Sequence, residues 1–175
     1  LDAIIDALTL INTKQCIINA QSNKLLANVQ MDAQTISYQM SLEGDKEMDP
    51  DTYMDCLFII TNKRDFDTLP QRLQKYGIRI GTPRALISAL FPADYNYEKG
   101  NVRILEGIFV EGEMGKATWG PNVNAIPMAI HTRYGIDRAS DLLTDAPFVF
   151  NRYAEDNPFS VKYSDFKVNN EIIKT

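Results

Sequence analysis

The chain has 175 residues, 45% of them hydrophobic and 23% charged, with a formal net charge of −5. Such a composition is that of an ordinary globular protein, long enough for one domain with its own core. The acidic balance argues against free-standing affinity for nucleic acid, and no apolar run approaches the roughly 20 residues of a membrane span.

Leu1 to Leu10 has helical spacing in Ile4, Ile5 and Leu8. Gln15 to Asn19 holds the apolar run Cys16, Ile17, Ile18 and reads as a strand, followed by the polar turn Gln21 to Lys24. From Asn28, a fitting N-cap, the positions Val29, Ala33, Ile36 and Met40 form a helical stripe. Asp49-Pro50 then opens a helix expected to carry Tyr53, Met54, Leu57 and Phe58 inward. Asp67 is the expected cap of a helix through Leu69, Leu73 and Tyr76 that Gly77 ends. Thr82-Pro83 starts the next, with Leu86, Ile87 and Leu90 inward and Pro92 stopping it.

The organising stretch runs from Glu98 to Gly135. Val102 and Ile104, then Ile108 and Val110, alternate with other residues around Glu106-Gly107, where a tight hairpin turn requires positive φ. A glycine-punctuated loop carrying Lys116 and the single tryptophan, Trp119, follows. A helix then starts near Asn124, with Pro127 in its first turn, Ile126, Ile130 and Tyr134 on one face, and Gly135 at its end. Asp137 to Leu143 continues as helix, Asp145-Ala146-Pro147 restarts or kinks it, and Phe159 to Val168 has strand-like alternation. With no repeat, linker or low-complexity tract, residues 1–175 read as a single region. The fold class is α+β, a mostly helical lobe with a central β-hairpin and short strands.

Candidate chemistry is sparse. His131, the only histidine, lies mid-helix with no ligand spacing around it and reads as an exposed helix residue. Cys56 sits among core-like residues and Cys16 in an apolar run. Neither has the basic neighbours that activate a thiol, and two reduced thiols in an intracellular setting are expected. Asp65-Phe66-Asp67 has the look of a polymerase metal core but lacks the third aspartate and the glycine that such a loop needs. Lys116 is in a place from which a lysine could reach a phosphate; taken alone it reads rather as a solvated surface lysine. Leu1 stands where a start methionine would, so a processed product or a piece of a longer chain is expected.

Several segments together resemble the pore domain of the largest subunit of multisubunit DNA-directed RNA polymerases, the β′ subunit of bacteria and its counterparts. Gln21-Ser22-Asn23-Lys24 followed by Asp32 is similar to the family's "P-Q-S-N-K-P-x-x-G-I-V-Q-D" segment. Ile87 to Pro92 resembles its Ser-x-Leu-x-Pro helix end, and Ile104 to Gly112 its "I-x-D/N-G-x-L-x-x-G" hairpin. Lys116 and Gly120 fall on "K-K-x-x-G", Tyr134-Gly135 on "x-Y-G", Asn151 on a helix asparagine, and Phe159-Ser160 through Asp165 on "G-F-S-x-x-I-x-D". Departures stand at Asn28, Met31, Asn124-Ala125 and Pro158, and at Ala117, where the pattern has its second lysine. Such drift implies a divergent polymerase, viral or phage.

The resemblance implies part of a nucleotidyltransferase complex, lining the secondary channel through which nucleotides enter and backtracked RNA is extruded. It implies that Asn23 and Lys116 face the nucleotide or RNA 3′ end, and that Asp32 and Asn151 are structural polar residues. No catalytic residue is expected in this chain. The Mg²⁺-binding Asn-Ala-Asp-Phe-Asp-Gly-Asp loop lies upstream in the family's order, so Mg²⁺ is expected on residues outside this chain. Implied partners are the second-largest subunit, the rest of the largest subunit, DNA template and RNA, and a transcript-cleavage factor in the channel, with no membrane. The implied compartment is the cytoplasm, or the nucleus of an infected host cell. Two other classes remain: a stand-alone binding or scaffold module that keeps this fold, and an independent metal-dependent hydrolase using Asp65 and Asp67.

Overall fold

The computed structural model describes residues 2–19 and 21–160. Among them the order is α1 (Asp2–Thr9), β1 (Ile18–Asn19), β2 (Lys24–Leu25), α2 (Met31–Leu42), α3 (Pro50–Ile59), α4 (Leu69–Lys75) and α5 (Pro83–Ala89). There follow β3 (Tyr97–Lys99), β4 (Val102–Leu105), β5 (Ile108–Glu111), α6 (Lys116–Trp119), α7 (Ile126–Tyr134) and α8 (Ile136–Asp156). The α+β class, mostly helical around a small antiparallel sheet, is as the sequence implies. The strand-like reading of Phe159 to Val168 falls almost wholly outside the described residues.

Helix α8 is the spine. Ala139, Leu142, Ala146, Val149, Phe150 and Tyr153 form its buried face, packed on α2, α3 and α7. Pro147, expected to break or kink this segment, lies inside one continuous helix. An interior proline costs about 3 kcal/mol through a lost backbone bond and a clash with the preceding turn. Burial of apolar side chains on both sides of it outweighs that cost, at about 1.5–3 kcal/mol for each large one. Asp145, read as part of a restart or kink, is buried within α8 and crosses to the end of α3, where its carboxylate accepts from the Thr61 amide (2.9 Å) and hydroxyl (2.7 Å).

Helix α5 is buried except at Arg84 and lies between β5, α2 and α3. Its Thr82 cap accepts from the Ala85 amide, and the Asp49 cap of α3 accepts from Thr52, both where the sequence places them. Strands β3, β4 and β5 form an antiparallel sheet in that order, with Leu105 opposite Ile108 across the Glu106-Gly107 turn. Glu106 (φ 50°) and Gly107 (φ 71°) both take the left-handed conformation that a two-residue hairpin demands. The Gly107 amide donates to the Tyr95 carbonyl at 2.7 Å. A Cβ at Gly107 would collide with the Pro92 carbonyl, so the turn sits directly on the end of α5.

Several local expectations are corrected. Cys16 belongs to a 3₁₀ turn, Thr13–Cys16, and is exposed; the strand is only Ile18–Asn19. The N-caps of α2 and α7 are Gln30 and Ala125, two residues beyond Asn28 and one beyond Asn124, and neither caps through its side chain. Asp67 lies in a 3₁₀ turn, Phe66–Thr68, and α4 begins after Thr68. On α3 the inward residues are Thr52, Tyr53 and Cys56, whereas Met54 and Phe58 are 62% and 80% exposed. β3, which pairs with β4, went unread because Tyr97–Lys99 is too short and too polar to show alternation.

Candidate functional site

The segment read as a loop around Lys116 contains one turn of helix, α6, and it is clamped from beneath. Trp119 is wholly buried, stacked on Phe91 (centroids 6.4 Å apart) and edge-on to Phe150 (5.5 Å). Its indole N–H donates to the Ser37 hydroxyl at 2.7 Å, and that hydroxyl donates to the Met114 carbonyl at 3.0 Å. One turn further along α2, the Ser41 hydroxyl accepts from the Met114 amide at 3.1 Å. Two serines four apart on one helix face thus hold both polar groups of the Met114 backbone and the indole, leaving none orphaned in the core. Lys116 projects from this rigid base and is exposed.

Beside Lys116 lies an open hollow of about 470 Å³ lined by Met31, Gln34, Thr35, Tyr38 and Gly115. A second hollow of about 370 Å³ shares Thr35 and is lined by Asp32, Ile36, Asn151, Ala154, Pro158 and Phe159. The N-terminal half of α2 is therefore a ridge between the two. The structure brings Asp32 and Asn151 to one hollow and Lys116 to its neighbour, and all three are exposed. Asn23 is elsewhere: it occupies the β1–β2 turn in the left-handed conformation (φ 50°), its amide donating to the Asn19 carbonyl at 2.8 Å. It lines neither hollow.

The lower part of the ridge is tied to α8. The Tyr153 hydroxyl donates to Glu43 at 3.0 Å, and Lys46 pairs with the same carboxylate at 2.9 Å. Burial pulls the Glu43 carboxyl upward, but hydrogen bonds from Lys46, Gln39 and Tyr153 outweigh it and hold the group below its ordinary range. Burial, with the Glu43 bond, raises the Tyr153 phenol well above the usual tyrosine range.

Little here is equipped for bond-making. Burial pushes the Cys56 thiol up to about 12, so it is an inert core residue as its sequence context implied. The Asp65 carboxylate accepts from the Ala93 amide at 3.1 Å and anchors the end of α5, while Asp67 is exposed. His131, read as exposed, is half-buried in α7. Among the described residues no group of three or more His, Cys, Asp or Glu is placed to hold a metal ion, and no helix is long and apolar enough to cross a membrane. What the surface offers is an exposed lysine on a well-packed base, beside one hollow of mixed polar and apolar lining and a second that carries the Asp32 carboxylate. Sequence reading missed Ser37 and Ser41, whose signal is two small polar residues four apart, flanking the Ile36 and Met40 stripe.

The family model described as RNA polymerase Rpb1, domain 3, matches residues 16–166. This chain belongs to that family. The match takes in Asn23, Asp32, Lys116 and Asn151 and bears out the resemblance, read from the sequence, to a divergent largest subunit. The chain is also 24% identical, over 95% of its length, to the probable DNA-directed RNA polymerase II subunit RPB1 homolog of Invertebrate iridescent virus 6. It is 27% identical, over 91% of its length, to the putative DNA-directed RNA polymerase 008R of Frog virus 3. It spans 18% and 12% of those two relatives, so it corresponds to one Rpb1 domain of much longer proteins.

Proposed function

We propose that this Rpb1 domain forms a wall of the secondary channel beneath the active centre of a DNA-directed RNA polymerase, where nucleotides enter and backtracked RNA leaves. The observation that supports this reading is the match of residues 16–166 to Rpb1 domain 3. Nucleotidyl transfer depends mostly on positioning and charge stabilisation, so a wall that guides substrate contributes without performing chemistry. Lys116, held on the Ser37–Trp119 clamp, meets RNA phosphate near the 3′ end. Asn23, at the tip of its own turn, contacts nucleotide or RNA separately. Asp32 and Asn151 shape the hollow behind the α2 ridge. In this reading Mg²⁺ is held by another segment of the largest subunit. The second-largest subunit, template DNA, RNA and a transcript-cleavage factor complete the assembly.

Lys116→Ala in the assembled polymerase tests this. Slower elongation, or altered transcript cleavage after backtracking, is expected. Unchanged elongation together with unchanged cleavage would remove Lys116 from the channel.

A further inference from the structure

We infer that Lys99, on β3, is a second phosphate-contacting cation that acts with Lys116 on the same single strand of RNA, in place of the lysine that the family pattern has at position 117. The inference rests on the channel reading proposed above.

The two lysines are distant in sequence, but the fold brings them to the same short helix. Lys99 Nζ donates to the carbonyl oxygen of Ala117 at 3.3 Å, so its ammonium lies against the peptide of the very residue that has lost a basic side chain. Lys116 is the immediate chain neighbour of that residue. Lys99 ends β3, where the ladder pairs it with Val102 across the Gly100-Asn101 turn. Its backbone is therefore held in the sheet, so that only side-chain freedom is lost when it engages a ligand.

Charge neutralisation separates these two lysines from the basic residues around them. Lys75 is paired with Glu106 at 2.6 Å, Arg133 with Asp94 at 3.1 Å, and Arg103 with Glu111 at 3.6 Å. No carboxylate among the described residues comes within 4 Å of the ammonium of Lys99 or Lys116. In a chain of net charge −5, two lysines without a carboxylate partner among the described residues thus stand next to the exposed Ala117, with Glu98 beside Lys99 in the chain. A ligand with repeating negative charge and an accessible backbone meets both, and single-stranded RNA has that chemistry.

The test uses the assembled polymerase stalled so that a fraction of complexes is backtracked, with that fraction measured against salt concentration. Each phosphate contact to a single strand contributes about 0.7 to the log–log salt slope. Lys99→Ala and Lys116→Ala are each expected to reduce the slope by about that amount, and Lys99→Arg to retain it. Adding Ala117→Lys to Lys99→Ala is expected to restore it, which a merely structural role for Lys99 would not allow. If Lys116→Ala lowers the slope and Lys99→Ala does not, the channel reading stands and this inference is overturned. If neither changes it, both fall. A Lys99→Ala effect seen only with an added acidic protein factor, and not with RNA alone, would also overturn the assignment to RNA.

Discussion

Ser37→Ala isolates the clamp under Lys116. The substitution removes a hydroxyl that is fully buried and serves two groups at once, accepting from the Trp119 indole at 2.7 Å and donating to the Met114 carbonyl at 3.0 Å. A buried polar group left without its partner costs about 1–3 kcal/mol. Two such groups bring the expected loss to about 2–6 kcal/mol. Ser41→Ala is the internal control: across the core only the Met114 amide loses its acceptor, because the other Ser41 bond is a local donation to the Tyr38 carbonyl (2.6 Å) within the same helix; the expected loss is about 1–3 kcal/mol. Urea unfolding followed through Trp119, the only tryptophan, reads both. With a slope of about 2 kcal/mol per molar urea, the midpoint should fall by about 1–3 M for Ser37→Ala and about half that for Ser41→Ala, with the slope unchanged. A loss for Ser37→Ala no greater than that for Ser41→Ala would refute the two-group reasoning.

Gly107→Ala and Gly77→Ala form a pair with nearly the same backbone angle, φ 71° and 70°. A Cβ at Gly77 meets nothing within 4 Å, so only the left-handed conformation is penalised, at about 1–2 kcal/mol. At Gly107 it also meets Arg72 Nη1 at 2.8 Å and the Pro92 carbonyl, and thermal unfolding should show a loss larger by at least about 1 kcal/mol. Asp94 accepts from the Tyr134 hydroxyl (2.8 Å) and pairs with Arg133, and these contacts hold its carboxyl below the ordinary 3.8. A depressed carboxylate stabilises the fold above its unfolded pKa and ceases to do so as pH falls through the folded value. The stability gap between the native chain and Asp94→Asn should therefore be constant near neutrality and close in acid below pH 3.8; a gap that persists there would contradict the assignment.

The parts of the fold legible in the sequence are those set by neighbouring residues. Asp49-Pro50 and Thr82-Pro83 start helices because cap and proline act within one turn, and Glu106-Gly107 makes its hairpin because both residues tolerate positive φ. The misread parts depend on what lies across the core. Met54 and Phe58 share a helix with Tyr53 and Cys56 in a nearly continuous apolar run, so periodicity alone leaves the inward face undetermined by about one residue, or 100°. Pro147 stays helical only because α2, α3 and α7 cover the surrounding turns of α8.

The site was legible as an ordered set of weak matches rather than as chemistry. Nothing near Lys116 in the chain reveals that Trp119 reaches Ser37, 82 positions away. Ala117 reads only as a loss until Lys99, 18 residues earlier, is found against its carbonyl. Asn23 and Asp32 lie close together in sequence, yet only Asp32 reaches the hollows beside α2.

A photo-crosslinking amino acid in place of Lys116, within the assembled polymerase and with RNA labelled at its 3′ end, tests the channel assignment most directly. Efficient crosslinking to the 3′ segment in backtracked complexes, falling when the RNA is returned to the forward register, is the outcome predicted here. Crosslinking to another subunit in both registers, with none to RNA, would contradict it.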